Sequence, residues 1–143
     1  ISIIMNKEFI PIIKAAKIPI ILLLFMWLIH LLNYFYSLNL YIYGIHPRHV
    51  DGIIGVVFSP LIHSLHDFSH ILNNSVPLVI LTWTLFFFYK KIAKQILFYS
   101  WIVVGIFVWI IGRDSYHIGM SGVIYSLVFY LFLYLLRFYA LLE

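Results

Sequence analysis

Ser121 lies in Gly119-Met120-Ser121-Gly122, where a polar loop gives way to an apolar stretch, and His70 and Asn74 stand one helical turn apart in an earlier apolar stretch. A hydroxyl, an imidazole and a carboxamide cost free energy in hydrocarbon unless they are paired, so such groups within membrane spans point to function. The chemistry open to them is attack by the serine oxygen, with the imidazole and the amide donating hydrogen bonds to the oxyanion that forms. Gly119 and Gly122 permit a strained turn that holds the oxygen exposed and lets another backbone come close. The backbone N–H of Ser121, unpaired because it opens a helix, supplies a third donor.

A serine hydroxyl also needs a base. His70 has a suitable position but would then leave the oxyanion site, and His117 precedes the glycine turn, where it is expected to shape the outer loop. The residues alone leave that choice open. They also admit plainer readings. Small residues at this spacing occur wherever membrane helices pack closely, and polar side chains in spans bond neighbouring helices for ~0.6 kcal/mol on average.

These groups need helices to hold them. Ile18 to about Tyr36 is apolar and long enough for a core of roughly 30 Å at ~1.5 Å per residue. A loop rich in Gly44, Pro47, Gly52, Gly55 and Pro60 follows, with apolar pieces too short to cross, expected at the interface or partly re-entrant. Ser64-Leu65-His66-Asp67 has the spacing of a capping box and predicts a second span over about 65–89, with Pro77 kinking it. A third span is expected over 95–111 and a fourth over about 121–142. The fourth stays apolar only to Leu136, ~24 Å at 1.5 Å per residue, which places Ser121 below the bilayer surface if Arg137 reaches the other face.

Composition fits this picture. Of 143 residues, 64% are hydrophobic and 10% charged, too apolar for a soluble domain to cover its own surface. The expected architecture is all-α, one polytopic membrane helix bundle over 1–143. No cysteine is present, which excludes disulfides and thiol nucleophiles. The net charge of +4 sits in short clusters between apolar runs and reads as a topology signal, with no nucleic-acid partner implied. Lys7, Lys14, Lys17 and the Lys90, Lys91, Lys94 loop alternate with loops carrying only Arg48 or Arg113. The positive-inside rule then puts the N-terminus in the cytoplasm and both polar constellations at the outer face, in a lipid bilayer expected to be a bacterial plasma membrane.

Residues three, four and seven apart share a helix face, so His63, His66, His70 and Asn74 form one stripe entering the second span. His63 and His66 are expected at the water boundary, and His30 is expected to pack against Asn33 or another helix.

Taken in order with the loop opening Gly44-Ile45-His46-Pro47-Arg48, the His70-x-x-x-Asn74 stripe and Gly119-Met120-Ser121-Gly122 make the chain resemble the rhomboid intramembrane serine proteases. The likeness runs from the first span to the last residue. It implies a serine endopeptidase that cuts transmembrane helices of other proteins near the outer face, without cofactor or metal. It also implies Ser121 as nucleophile, His70 and Asn74 as oxyanion-stabilising side chains, and Tyr125 as the ring packing against the catalytic histidine. Rhomboids have six core spans and take their base from the sixth. The likeness therefore implies an N-terminal four-span part, a rhomboid-like bundle truncated after its fourth span, expected not to cleave alone. Two alternatives come from other classes: a non-catalytic binder of membrane helices, and a metal enzyme using His63-x-x-His66-x-x-x-His70 as three imidazole ligands.

Overall fold

The computed structural model describes residues 2–140, and five α-helices make its frame: α1 (Ser2–Tyr36), α2 (Gly55–Phe58), α3 (Phe68–Phe88), α4 (Ala93–Ile111) and α5 (Ser121–Ala140). Among the described residues there is no strand; one isolated antiparallel bridge joins Ile45 to His117. Pro11–Tyr36, Phe68–Phe88 and Ala93–Ile111 are long and apolar enough to cross a membrane, while the apolar part of α5, Ser121–Arg137, is shorter. The expected last residues of the fourth span, 141–142, lie outside the described residues.

The helices have apolar surfaces on both sides. Leu24, Phe107 and Phe129 are each more than half exposed, and so wide an apolar surface is what a chain embedded in lipid presents. Inside, Met26 of α1, Ile71, Leu78 and Leu85 of α3, and Val123 and Leu127 of α5 form a sealed core. Trp27 Nε1 donates to Ser75 Oγ at 3.0 Å and ties α1 to α3. Ser126 Oγ meets Ser100 Oγ at 3.0 Å between α5 and α4. A Cβ on Gly122 would come within 2.7 Å of Val104 Cγ1, so the small residue lets α5 lie close against α4.

Several sequence expectations shift. Helix α1 begins well before Ile18, because the helix continues through a less apolar segment and through Pro11 and Pro19, as helices supported by neighbours allow. The capping box does not form: α3 starts at Phe68, not Leu65, with Asp67 as its cap accepting from Ser69 N at 3.0 Å. Ser64 Oγ instead accepts from His66 N at 3.2 Å within the preceding turn. Pro77 lies inside α3 as anticipated. The long loop is a chain of short helical turns, Leu40–Tyr43, Asp51–Ile54, α2 and Ser59–Leu61. It leans on α4, where Trp101 Nε1 donates to Val57 O at 3.0 Å and Gly105 makes room for Val56.

Candidate active site

The start of α5 is held by the long loop. Gly119 N donates to Ser59 O at 2.8 Å, and Ile45 and His117 exchange backbone hydrogen bonds at 2.9 and 2.8 Å. Gly119 has φ +107°, a conformation that glycine adopts without a Cβ penalty. The turn therefore arrives under the long loop and releases into α5 at Ser121. As the first helical residue, Ser121 carries an N–H with no intrahelical partner, and its side chain is half-buried.

His70 comes to this turn from α3. A Cβ built on Gly119 would stand 2.6 Å from His70 Nε2 and 2.8 Å from Cε1, so the imidazole lies against the bare glycine. Asn74 is buried one turn further along, and its Nδ2 donates to His70 O at 2.6 Å. That bond occupies one of its two amide protons and leaves the other. The residues thus gather at one end of the bundle, with His70 meeting the motif at Gly119.

A cavity of about 140 Å³ opens beside Ser121, lined also by Ser59, His117, Gly119 and, from α4, Val104 and Gly105. His70 and Asn74 do not line it. Among the described residues no hydrogen bond joins Ser121 Oγ to a histidine. His117 Nε2 is bonded to Arg113 O at 3.0 Å, within the α4–α5 connection. Tyr125, one turn beyond Ser121, is 73% exposed and has no histidine against it among the described residues. Gly122 serves the α4–α5 contact described above.

His63 is a correction. It is not at the water boundary but buried, 2% exposed, behind the turn, with its Nε2 3.5 Å from Met120 N and its ring 5.0 Å from that of His70. Its role was legible only from the tertiary fold, because it precedes α3 and reaches the turn through the loop. His66 is exposed, so the three histidines of the stripe do not converge as a ligand set. His30 packs against Trp27 and Phe68; Asn33 instead accepts from Leu40 N at 3.3 Å.

Burial, with His70 adding to it, pushes the His63 imidazole from 6.5 down to about 4. The unfolded chain takes up this proton below about pH 6.5, the folded chain only near 4. Stability from the neutral ring is therefore complete above the unfolded value and is lost as pH falls through that window. At about 1.4 kcal/mol per pH unit the whole loss is ~3 kcal/mol. Thermal unfolding in detergent is expected to show a lower midpoint at pH 4.5 than at pH 7, with a shallower dependence in His63→Leu.

No family model matches the chain, and no solved structure matches it. Three curated mycobacterial proteins do, one from Mycobacterium bovis and two from Mycobacterium tuberculosis, each described as uncharacterized. Each is 28% identical over 115 residues, covering 76% of this chain and 47% of the relative. The chain spans about half the length of the curated relatives it matches.

Proposed function

We propose that this chain carries the nucleophile and oxyanion groups of a rhomboid-type intramembrane serine endopeptidase. The observation that carries the reading is the His70 imidazole lying against Gly119, two residues before a half-buried Ser121 that opens a membrane-type helix onto a cavity. In this reading α5 is a fourth span and the end of the bundle holding Ser121 faces outward, in a bacterial plasma membrane with a cytoplasmic N-terminus. Substrates are transmembrane helices of other proteins.

Ser121 Oγ attacks the scissile carbonyl from the cavity side as the base on the further helix that the resemblance implies takes its proton, and that proton passes to the amine when the C–N bond breaks. The carbonyl oxygen becomes an oxyanion, to which the Ser121 N–H, the imidazole of His70 and the free amide proton of Asn74 donate once α3 and α5 move to bring them to it. In a low-dielectric setting each such donor is worth far more than in solution. The exposed face bearing Tyr125 is where a further helix carrying the base would pack, as the resemblance implies.

The test is cleavage of a reporter containing a transmembrane helix, in native membranes, by the protein as expressed from its own gene, since the four-span part is not expected to cleave alone. His70→Ala and Asn74→Ala are each expected to slow turnover by ~10²–10³-fold, the usual loss of one oxyanion donor. Cleavage undiminished in both variants would remove the oxyanion assignment. A second reading, a non-catalytic helix binder, draws on the lack of a histidine bonded to Ser121 among the described residues. It requires the wild type to hold the reporter helix without cutting it.

A further inference from the structure

We propose that His46, His49 and Asp114, with Asp51 as fourth donor, bind a divalent transition-metal ion of the zinc class, linking the long loop to the α4–α5 connection. His46 Nε2 and His49 Nε2 lie 3.1 and 3.5 Å from the same oxygen of Asp114, Oδ1. The donors of a tetrahedral site with ligand bonds of about 2.0–2.1 Å stand roughly 3.3 Å apart, so the two distances to Asp114 Oδ1 match two edges of one face of such a site. Asp51 is the further donor: one oxygen of its carboxylate and one nitrogen of each histidine lie within 4.8 Å of one another, and its exposed side chain must turn to share an ion with Asp114. Two imidazoles and two carboxylates make a nitrogen and oxygen ligand set suited to a borderline ion in tetrahedral geometry.

The local fold brings the donors together. His49 N bonds His46 O at 3.2 Å and Gly52 N bonds His49 O at 3.1 Å, so the segment curls in successive turns. The two imidazoles are stacked, with centroids 3.8 Å apart and planes 4° from parallel, so their in-plane lone pairs run side by side and the half-exposed His49 ring must turn for both to meet one ion. A Cβ on Gly52 would collide with His46 O at 2.2 Å, which shows how tightly the turn closes. Tyr116 covers one side of His46, its ring centroid 4.6 Å away. The nearest cation of the loop, Arg48, is drawn off: its Nη1 donates to Gly112 O at 2.7 Å. His46 Nε2–H donates to Asp114 Oδ1 at 3.1 Å, so an ion binding there displaces that proton, while His46 Nδ1 makes no hydrogen bond among the described residues. His49 and Asp114 have side chains 50% and 69% exposed, which leaves the ion a path from water.

An ion here would join the loop that holds Gly119 N through Ser59 to the segment that leads into that same glycine turn. Its presence would stiffen the approach to Ser121, whatever reaction the serine performs. The site uses none of the stripe residues His63, His66 and His70.

The test is titration of the detergent-solubilised, chelator-stripped chain with cobalt(II) alone, followed by displacement with zinc. The expected result is one equivalent bound, with the intense visible absorption of four-coordinate cobalt, lost on zinc addition. Removing an outer-shell partner of a metal costs ~10–100-fold in affinity, so His46→Ala and His49→Ala are expected to lose at least 100-fold. His66→Ala is expected to bind as the wild type does. Asp114→Asn guards against misfolding, since this exposed side chain is dispensable for packing, and is expected to lose at least tenfold while its metal-free melting curve stays unchanged. Absence of saturable cobalt binding, a six-coordinate spectrum, or equal affinity in His46→Ala, His49→Ala and Asp114→Asn would overturn the proposal. Loss of binding in His66→Ala would move the metal to the α3 stripe and overturn it equally.

Discussion

In the protein as expressed from its own gene, Ser121→Ala is expected to reduce cleavage of a transmembrane reporter to background, a loss on the order of 10⁴-fold or more, because removing the proposed nucleophile removes the covalent route itself. The variant should fold as the wild type does. Ser121 is half-buried and opens onto a cavity, so losing one oxygen leaves no buried partner unsatisfied. Ser126→Ala is the matched control: its hydroxyl bonds Ser100 Oγ at 3.0 Å and belongs to the α4–α5 contact, and its loss should leave turnover within a few-fold of wild type. Turnover is read as the rate of reporter fragment release in membranes with equal amounts of each variant. Cleavage persisting in Ser121→Ala would assign the nucleophile elsewhere.

Gly119→Ala is expected to cut the same rate by about 10²-fold with Ser121 intact. Two effects act together. At φ +107° an alanine is strained by roughly 1–3 kcal/mol, and its methyl would stand 2.6 Å from His70 Nε2, so the imidazole must move or the turn must open. Either response separates a donor from the oxyanion position, where one such donor is worth ~10²–10³-fold. If both substitutions act through one contact, they are non-additive: in a His70→Ala background, Gly119→Ala should cost far less than it does alone. Full additivity would place the glycine's role in the backbone and not against the imidazole.

Much of this arrangement could be read from residue order. Apolar runs located three helices that can cross a membrane, because burial of a hydrocarbon-facing helix leaves an uninterrupted compositional trace. His70, Asn74 and Ser121 stood out in the sequence because an imidazole, an amide and a hydroxyl are costly in hydrocarbon unless paired. Boundaries were less legible. The Ser64 to Asp67 spacing suits a capping box, but Asp67 caps the helix directly, and local hydrogen bonds of Ser64 and Ser69 decide the start. The burial of His63 had no trace at all, since it follows from where the long loop is carried after Ser59, a tertiary matter. The convergence of His46 and His49 with Asp114 likewise joins segments far apart in the chain, and only the docking of the loop on the end of α4 brings them together. The likeness to rhomboids rested on motifs in order. The partners of Tyr125 and the hydroxyl of Ser121 depend on what packs against α5, which motif order does not specify.

The most direct measurement is the position of the covalent adduct formed by a fluorophosphonate probe in native membranes, mapped by peptide mass spectrometry. A single adduct on Ser121, absent from Ser121→Ala and weakened in His70→Ala, is the predicted result. No adduct on the wild-type chain, or an adduct on another serine that survives Ser121→Ala, would contradict the proposed nucleophile.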